Sequence, residues 1–160
     1  GDELHFPPNL FVETFDMLKK ENFPITIHAG EWDGPQSIRD AINLLHAKRL
    51  GHGVRCIEDP DLVEELRNSD IVLETCPTSN VATKIYPSYE GHPVKELFNQ
   101  GLKITVNSDD PPFFNATIGG EYEVMANLGL SEDELKSLTR NAIKYAFCDQ
   151  HTKSKLLKKI

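Results

Sequence analysis

The sequence predicts an α/β fold in which about four parallel strands alternate with flanking helices. Four short apolar segments have the length of strands, and each is followed by apolar residues at helical spacing, an alternation typical of a parallel sheet. The chain has no glycine-rich phosphate-binding turn, the feature that most often marks an open doubly wound sheet. A closed eight-stranded barrel takes about 250 residues, so a chain of 160 residues corresponds to roughly half of a barrel.

The predicted elements follow one another along the whole chain, which we treat as one domain, residues 1–160. Strands are predicted at residues 24–28, 48–51, 71–75 and 103–107. Helices are predicted at residues 7–20, 34–45, 59–68, 92–101, 120–128 and 131–147, before a lysine-rich terminal helix. Asp59 before Pro60 indicates a helix start, and the run from Ser131 to Glu134 is a capping box. A long loop is expected between the third strand and the helix that follows it.

Composition and charge restrict the class of protein. Hydrophobic residues make up 39% of the chain and charged residues 26%, as in a globular domain, and the apolar runs are too short to span a bilayer. The formal net charge of −8 argues against a nucleic acid as the main partner, because phosphate binding requires a basic face. Cys56, Cys76 and Cys148 are widely spaced, which favours a reducing compartment, the cytoplasm, over a disulfide framework.

Chemically active side chains stand at the C-terminal end of every predicted strand. The segments are 28–31 (His-Ala-Gly-Glu), 51–53 (Gly-His-Gly), 76–80 (Cys-Pro-Thr-Ser-Asn) and 108–111 (Ser-Asp-Asp-Pro). In a barrel these strand ends face one mouth, where the connecting loops build the active site. We therefore expect two imidazoles and three carboxylates to converge there. They are those of His28, Glu31, His52, Asp109 and Asp110.

Each of these residues also has an ordinary structural explanation when it is taken singly. A histidine at a strand end is more often a hydrogen-bond partner than a metal ligand, and this applies to both His28 and His52. Glu31 could be an acid at a helix start, and Asp109 and Asp110 could form a turn and a cap. The placement of all five residues at one end of the strands is what favours a functional site.

Imidazole and carboxylate groups suit a catalytic zinc ion, which keeps one coordination position for water. Water held by zinc ionises near neutral pH and becomes a strong nucleophile. A second imidazole can take or orient the proton of that water. A carboxyl group buried against an aromatic ring such as Trp32 would have a raised pKa and could act as a general acid.

Four motifs of the chain resemble, in order and spacing, those of the adenosine and adenine deaminases, the adenosine deaminase family. They are segments 28–31, 49–53 (Arg-Leu-Gly-His-Gly), 76–80 and 107–111. The opening Gly-Asp-Glu of residues 1–3 also resembles a segment of this family. The similarity covers essentially the whole chain, and it implies the C-terminal half of a (β/α)8 TIM-type barrel.

The resemblance implies a chemical role for four of the converging residues. His28 and Asp109 would be zinc ligands, and Asp109 would also hold the attacking hydroxide. His52 would orient that hydroxide and assist its deprotonation. Glu31 would protonate a purine ring nitrogen while the hydroxide attacks the amino-bearing carbon.

Substrate binding is implied in the same way. Asp110 would hydrogen-bond the other ring of the purine, and Gly1 would offer its backbone N–H to a further ring nitrogen. The reaction implied is the hydrolytic deamination of adenosine or deoxyadenosine to the inosine product, with release of ammonia. Segment 28–35 is similar to adenosine deaminases, whereas segment 107–111 also occurs in adenine deaminases, so adenine is the alternative substrate.

One part of the family pattern is absent from this sequence. The family takes two further zinc ligands from a His-x-His segment on its first strand, and no His-x-His occurs in the 160 residues. The chain opens at Gly1, where the fourth strand of the family would be ending. We therefore expect the N-terminal half to come from another segment, another chain or a self-associated copy, and the chain by itself to be catalytically silent.

Two other classes of protein stay open on the sequence. One is a non-catalytic interaction domain that keeps the fold without the metal, as the absent ligands would allow. The other is a different metal-dependent amidohydrolase, acting on a ring amide or a phosphoester. The zinc site of cytidine deaminases is a separate design, because it uses H-x-E and P-C-x-x-C motifs that this sequence lacks.

Overall fold

The computed structural model describes residues 2–160, which form one parallel sheet with surrounding helices. The strands are β1 (Thr26–Ala29), β2 (Arg49–His52), β3 (Val72–Thr75) and β4 (Ile104–Val106). Their spatial order is the same as their order in the chain. Each connection therefore moves to the next strand in one direction, as in a barrel wall, whereas a doubly wound sheet reverses its order at a switch point. The predicted half-barrel of four parallel strands is confirmed.

Nine α-helices accompany the sheet within residues 2–160. They are α1 (Val12–Lys20), α2 (Pro35–Asn43), α3 (Pro60–Asn68), α4 (Pro77–Ala82), α5 (Val94–Asn99), α6 (Pro111–Phe114), α7 (Ile118–Asn127), α8 (Glu132–Lys144) and α9 (Gln150–Leu157). The side chain of Asp59 accepts hydrogen bonds from the backbone at the start of α3, and Ser131 and Glu134 form the predicted capping box of α8. Within the described chain, no helix is both long and apolar enough to cross a membrane.

The structure differs from the predicted elements at several points, among them the short unpredicted helix α6. The first predicted helix begins as a 3-10 turn, Pro8–Phe11, before α1. The predicted long loop after β3 contains α4, which begins at Pro77 because proline is well suited to the first helical position. The strand ends are displaced by one or two residues, since only part of each apolar segment pairs with a neighbour.

The two faces of the sheet differ in character. One row of paired residues is apolar and packs in the core beneath the helices: Ile27, Leu50, Leu73 and Ile104. The next row points to the opposite face, because successive strand residues alternate: His28, Gly51, Glu74 and Thr105. In a barrel this second face is the interior. The apolar core therefore holds the strands while their other face presents polar groups to the interior.

Candidate active site

The structure brings four of the five selected residues together at the C-terminal ends of the strands. His28 on β1, His52 at the end of β2 and Asp109 after β4 each place one ligand atom within 4.8 Å of the others. Glu31 lies beside them, with its Oε2 atom 3.3 Å from His52 Nε2. The Oδ2 atom of Asp109 is 3.8 Å from the same nitrogen. The cluster thus combines two imidazoles with two carboxyl groups.

Asp110, one of the two residues selected for substrate binding, is not part of this cluster. Asp110 precedes α6 and is exposed, and its side chain makes no hydrogen bond or ion pair within residues 2–160. Its backbone carbonyl accepts hydrogen bonds from Phe113 and Phe114, which holds the main chain while the carboxylate remains accessible. Gly1 lies outside the described residues.

Two residues of the cluster have left-handed backbone conformations. The φ angle of His52 is 63° and that of Asp109 is 54°. Such conformations cost about 1–3 kcal/mol for a non-glycine residue and are concentrated at functional sites. His52 pairs with Ala29, so strand alternation would direct it to the helix-covered face. The left-handed turn instead allows its ring to reach Glu31.

Two glycines make room for the cluster. A Cβ atom on Gly51 would lie 3.1 Å from the ring of His28, so glycine lets that ring lie close against β2. Gly30 has a φ of +71°, and a Cβ atom there would lie 2.3 Å from Cδ1 of Ile38. The loop that carries Glu31 can therefore turn tightly over α2 only with glycine at this position.

Side chains of α4 hold the cluster in place. Ser79 donates its hydroxyl to Asp109 Oδ2 at 2.6 Å. The Nδ2 atom of Asn80 lies 3.0 Å from Glu31 Oε1 and 3.2 Å from His52 Nδ1. Both residues belong to the motif that follows the third strand, although neither is among the predicted site residues. Their position directly after a strand end was the signal that could have found them.

Glu3 is a further residue that sequence reasoning did not select. Its side chain is buried, and its carboxylate accepts hydrogen bonds from the backbone N–H groups of residues 30–33 and from the Ser37 hydroxyl. Burial opposes ionisation of Glu3, but the hydrogen bonds from Ser37 and the backbone outweigh burial and lower its pKa. Glu3 therefore binds the loop that carries Glu31 and places a negative charge behind it.

The pKa values of Glu31 and His52 are both shifted in the direction that favours the neutral side chain. Burial, with the nearby charges of Asp109 and Glu3, raises the pKa of Glu31 to about 7. The direction agrees with the sequence-based expectation, but Trp32, suggested there as the cause, is 47% exposed. Burial and the neighbouring His28 lower the pKa of His52 to about 4. Near neutral pH the site therefore offers a neutral imidazole beside a carboxyl group that can carry a proton.

Glu3→Gln is expected to lower the free energy of unfolding at pH 7 by about 1–3 kcal/mol, because a neutral amide oxygen cannot satisfy the same set of donors. The pKa of Glu3 is lowered on folding, so its contribution is present above the unfolded value of 4.5 and is lost as the pH falls through the folded value. Urea unfolding of both proteins at pH 7 and at acidic pH measures this difference. Asp2→Asn, a change at the exposed neighbouring acid, is the control. Equal stability of Glu3→Gln and the unchanged chain at pH 7 would contradict the expectation.

The donor types of the cluster suit zinc. Zinc binds imidazole nitrogen and carboxylate oxygen at about 2.0–2.2 Å, so His28 and Asp109 provide two appropriate ligands. Their donor atoms lie within 4.8 Å of each other, close to the spacing that one shared ion requires. Catalytic zinc sites usually have three protein ligands. The described residues therefore fit part of a zinc site.

A half-barrel that gathers imidazoles and carboxyl groups at its strand ends has the arrangement on which metal-dependent barrel hydrolases build their active sites. A family model, adenosine deaminase, matches residues 1–160, and the chain belongs to this family.

Individual relatives agree with this assignment. An adenine deaminase of Sinorhizobium medicae is 44% identical over 158 residues, which cover 98% of this chain and 49% of that protein. The crystal structure of adenine deaminase from Arthrobacter aurescens matches with a TM-score of 0.95 and 32% identity, over 99% of this chain and 49% of that one. An amidohydrolase from Burkholderia ambifaria, crystallised with bound Zn, matches with a TM-score of 0.87 and 30% identity, over 95% of this chain and 43% of that one. The chain spans about half the length of the curated relatives it matches.

Proposed function

We propose that this chain supplies the acid–base half of a zinc-dependent purine deaminase whose substrate is adenine. The observation that carries the proposal is the Glu31 carboxyl group, with a pKa raised to about 7, beside His52 and the donor pair His28 and Asp109. Adenine is preferred because the relatives that are 40–44% identical are adenine deaminases. Adenine, the alternative substrate, is thus better supported than adenosine.

The proposed reaction replaces the amino group of adenine by oxygen and releases ammonia. Zinc, when bound, supplies water that is ionised at neutral pH. His28 and Asp109 would hold the ion, and the relative with bound Zn supports the choice of metal. Glu31 donates a proton to a ring nitrogen as the carbon–oxygen bond forms, so that the negative charge does not accumulate on the ring. His52, neutral and buried, orients the oxygen nucleophile between Glu31 and Asp109.

The activity is proposed for an assembled barrel. This chain contributes two zinc ligands, and the remaining ligands would come from a segment equivalent to the other half of the relatives, on the same chain, another chain or a second copy. Within the described sheet, β1 and β4 each have one neighbouring strand, so each presents an edge to which further strands can pair. In this proposal residues 1–160 are the C-terminal half of one barrel domain.

The proposed setting is the cytoplasm, and the proposed ligand is a small purine. The three cysteines are all free thiols, and Cys56 and Cys76 are buried, which agrees with a reducing compartment. The accessible carboxylate of Asp110 and the backbone of Gly1 remain the proposed contacts to the purine.

A chimera tests the proposed function. Residues 1–160 replace the matching half of the Sinorhizobium medicae adenine deaminase, and ammonia release is measured with adenine, adenosine and deoxyadenosine. We expect adenine to be the preferred substrate by kcat/KM. A higher kcat/KM for adenosine than for adenine would instead indicate that the nucleoside is the substrate. A folded chimera that binds zinc but deaminates none of the three would contradict the proposal and favour a non-catalytic domain or a different amidohydrolase.

A further inference from the structure

A continuous line of hydrogen bonds runs from the start of α5 to the candidate active site. The backbone N–H of Val94 donates to His92 Nδ1 at 3.1 Å, and His92 Nε2 lies 3.1 Å from Asn80 Oδ1. The Nδ2 atom of Asn80 lies 3.2 Å from His52 Nδ1 and 3.0 Å from Glu31 Oε1. His92, Asn80 and His52 are only 4%, 0% and 1% exposed, so these contacts are shielded from bulk water.

The donor and the acceptor of each hydrogen bond in this line follow from the backbone N–H of Val94 at one end of it. A backbone N–H can only donate, so Nδ1 of His92 accepts and the proton of the neutral ring is on Nε2. Burial and the neighbouring His52 lower the pKa of His92 to about 4, which keeps the ring neutral at pH 7. His92 Nε2–H then donates to the carbonyl oxygen of Asn80, and this bond orients the amide. The NH₂ group of Asn80 therefore points toward His52 and Glu31 and has one hydrogen for each.

We propose that His92 and Asn80 are positioning residues that set the tautomer of His52 and select the oxygen of Glu31 that carries its proton. Nδ1 of His52 accepts from Asn80, so the proton of the neutral ring lies on Nε2, the nitrogen 3.3 Å from Glu31 Oε2. Oε1 of Glu31 also accepts from Asn80, so the protonated form of Glu31 carries its proton on Oε2, on the side of the cluster.

This inference deepens the proposed function, and its catalytic meaning rests on that function. His52 enters the reaction as a hydrogen-bond donor at Nε2, so it orients the oxygen nucleophile before it can accept a proton. In this tautomer His52 would not be a third ligand, although one of its ring nitrogens lies within 4.8 Å of the donor atoms of His28 and Asp109. With Nδ1 engaged and Nε2 protonated, the ring has no free lone pair for a metal ion.

The test is ¹⁵N NMR of the 160-residue chain with labelled histidine and asparagine, in the absence of metal, at pH 7. Two-bond nitrogen–proton correlations distinguish protonated from unprotonated ring nitrogens, and the spectra of His52→Gln and His92→Gln assign the two rings. We expect both rings in the Nε2–H form and a coupling across the hydrogen bond from Asn80 Nδ2 to His52 Nδ1. A Nδ1–H form of His52 in the unchanged chain would overturn the proposal, whatever the activity of the assembled enzyme.

His92→Phe tests the remote effect. Without the His92 donor, the amide of Asn80 can reverse and present its oxygen to His52 Nδ1, so the ratio of Nδ1–H to Nε2–H forms of His52 should rise about 3- to 10-fold. His92→Gln keeps a donor toward Asn80 and should preserve the original ratio, while His46→Phe, outside the line, should leave it unchanged. A His92→Phe chain with an intact amide spectrum and an unaltered His52 ratio would also overturn the proposal. If His92→Phe does not fold, the tautomers of the unchanged chain decide.

Discussion

Replacing Glu31 by glutamine is expected to lower kcat of the chimeric deaminase by about 10²- to 10⁴-fold, the usual contribution of a general acid. Glutamine keeps the size of the side chain and can still accept the hydrogen bond from Asn80 with its amide oxygen, but it has no acidic proton. Adenine turnover and KM are measured in both enzymes. Glu58→Gln, which changes a carboxyl group paired with Arg55 outside the cluster, is the matched control. A Glu31→Gln enzyme within a few fold of the original kcat would exclude Glu31 as the proton donor.

The pH profile provides a second measure of the same residue. The pKa of Glu31 is raised to about 7, so the reactive acid form declines as the pH rises through 7, and kcat/KM should decline with it. The raised pKa also means that the free energy of unfolding contributed by Glu31 is full below the unfolded value of 4.5 and is lost as the pH rises toward 7. The residual activity of Glu31→Gln should not show this decline, and its stability should vary less between pH 4.5 and 7.

Replacing His28 by alanine is expected to release zinc from the assembled enzyme. Removal of a residue that only hydrogen-bonds a metal ligand weakens metal affinity about 10- to 100-fold. Removal of a direct ligand should therefore weaken zinc affinity by more than about 100-fold. Zinc per chain is measured by elemental analysis after dialysis, and affinity by competition with a chelator. His46→Ala is the control, because His46 bonds Asp16 outside the cluster.

His52→Ala, measured in the same zinc experiment, tests whether His52 is a zinc ligand or only lies next to the ion. Because Nε2 of His52 carries a proton in the tautomer set by Asn80, this variant should retain zinc while it loses turnover. Retention of one zinc per chain in His28→Ala, or loss of zinc in His52→Ala, would mean that the ligand set differs from the one proposed.

Much of the fold follows from local pattern. Strand-sized apolar segments alternate with helical ones, and helix starts such as Asp59 and Ser131 have caps that act within the first turn. Such features depend on residues close in sequence, which is why they could be predicted from the chain alone. α4 was missed because it is only six residues long and begins at Pro77, within a segment rich in turn-forming residues.

The sequence by itself determined the half-barrel and the gathering of His28, Glu31, His52 and Asp109, because parallel strands in a barrel bring their C-terminal ends to one mouth.

Only the tertiary structure decided how these groups are held and charged. The carboxylate of Glu3 binds a loop about 30 positions away, and Asn80 reaches His52 across 28 positions. Burial and hydrogen-bond direction depend on such distant packing, so no local pattern in the chain reports them.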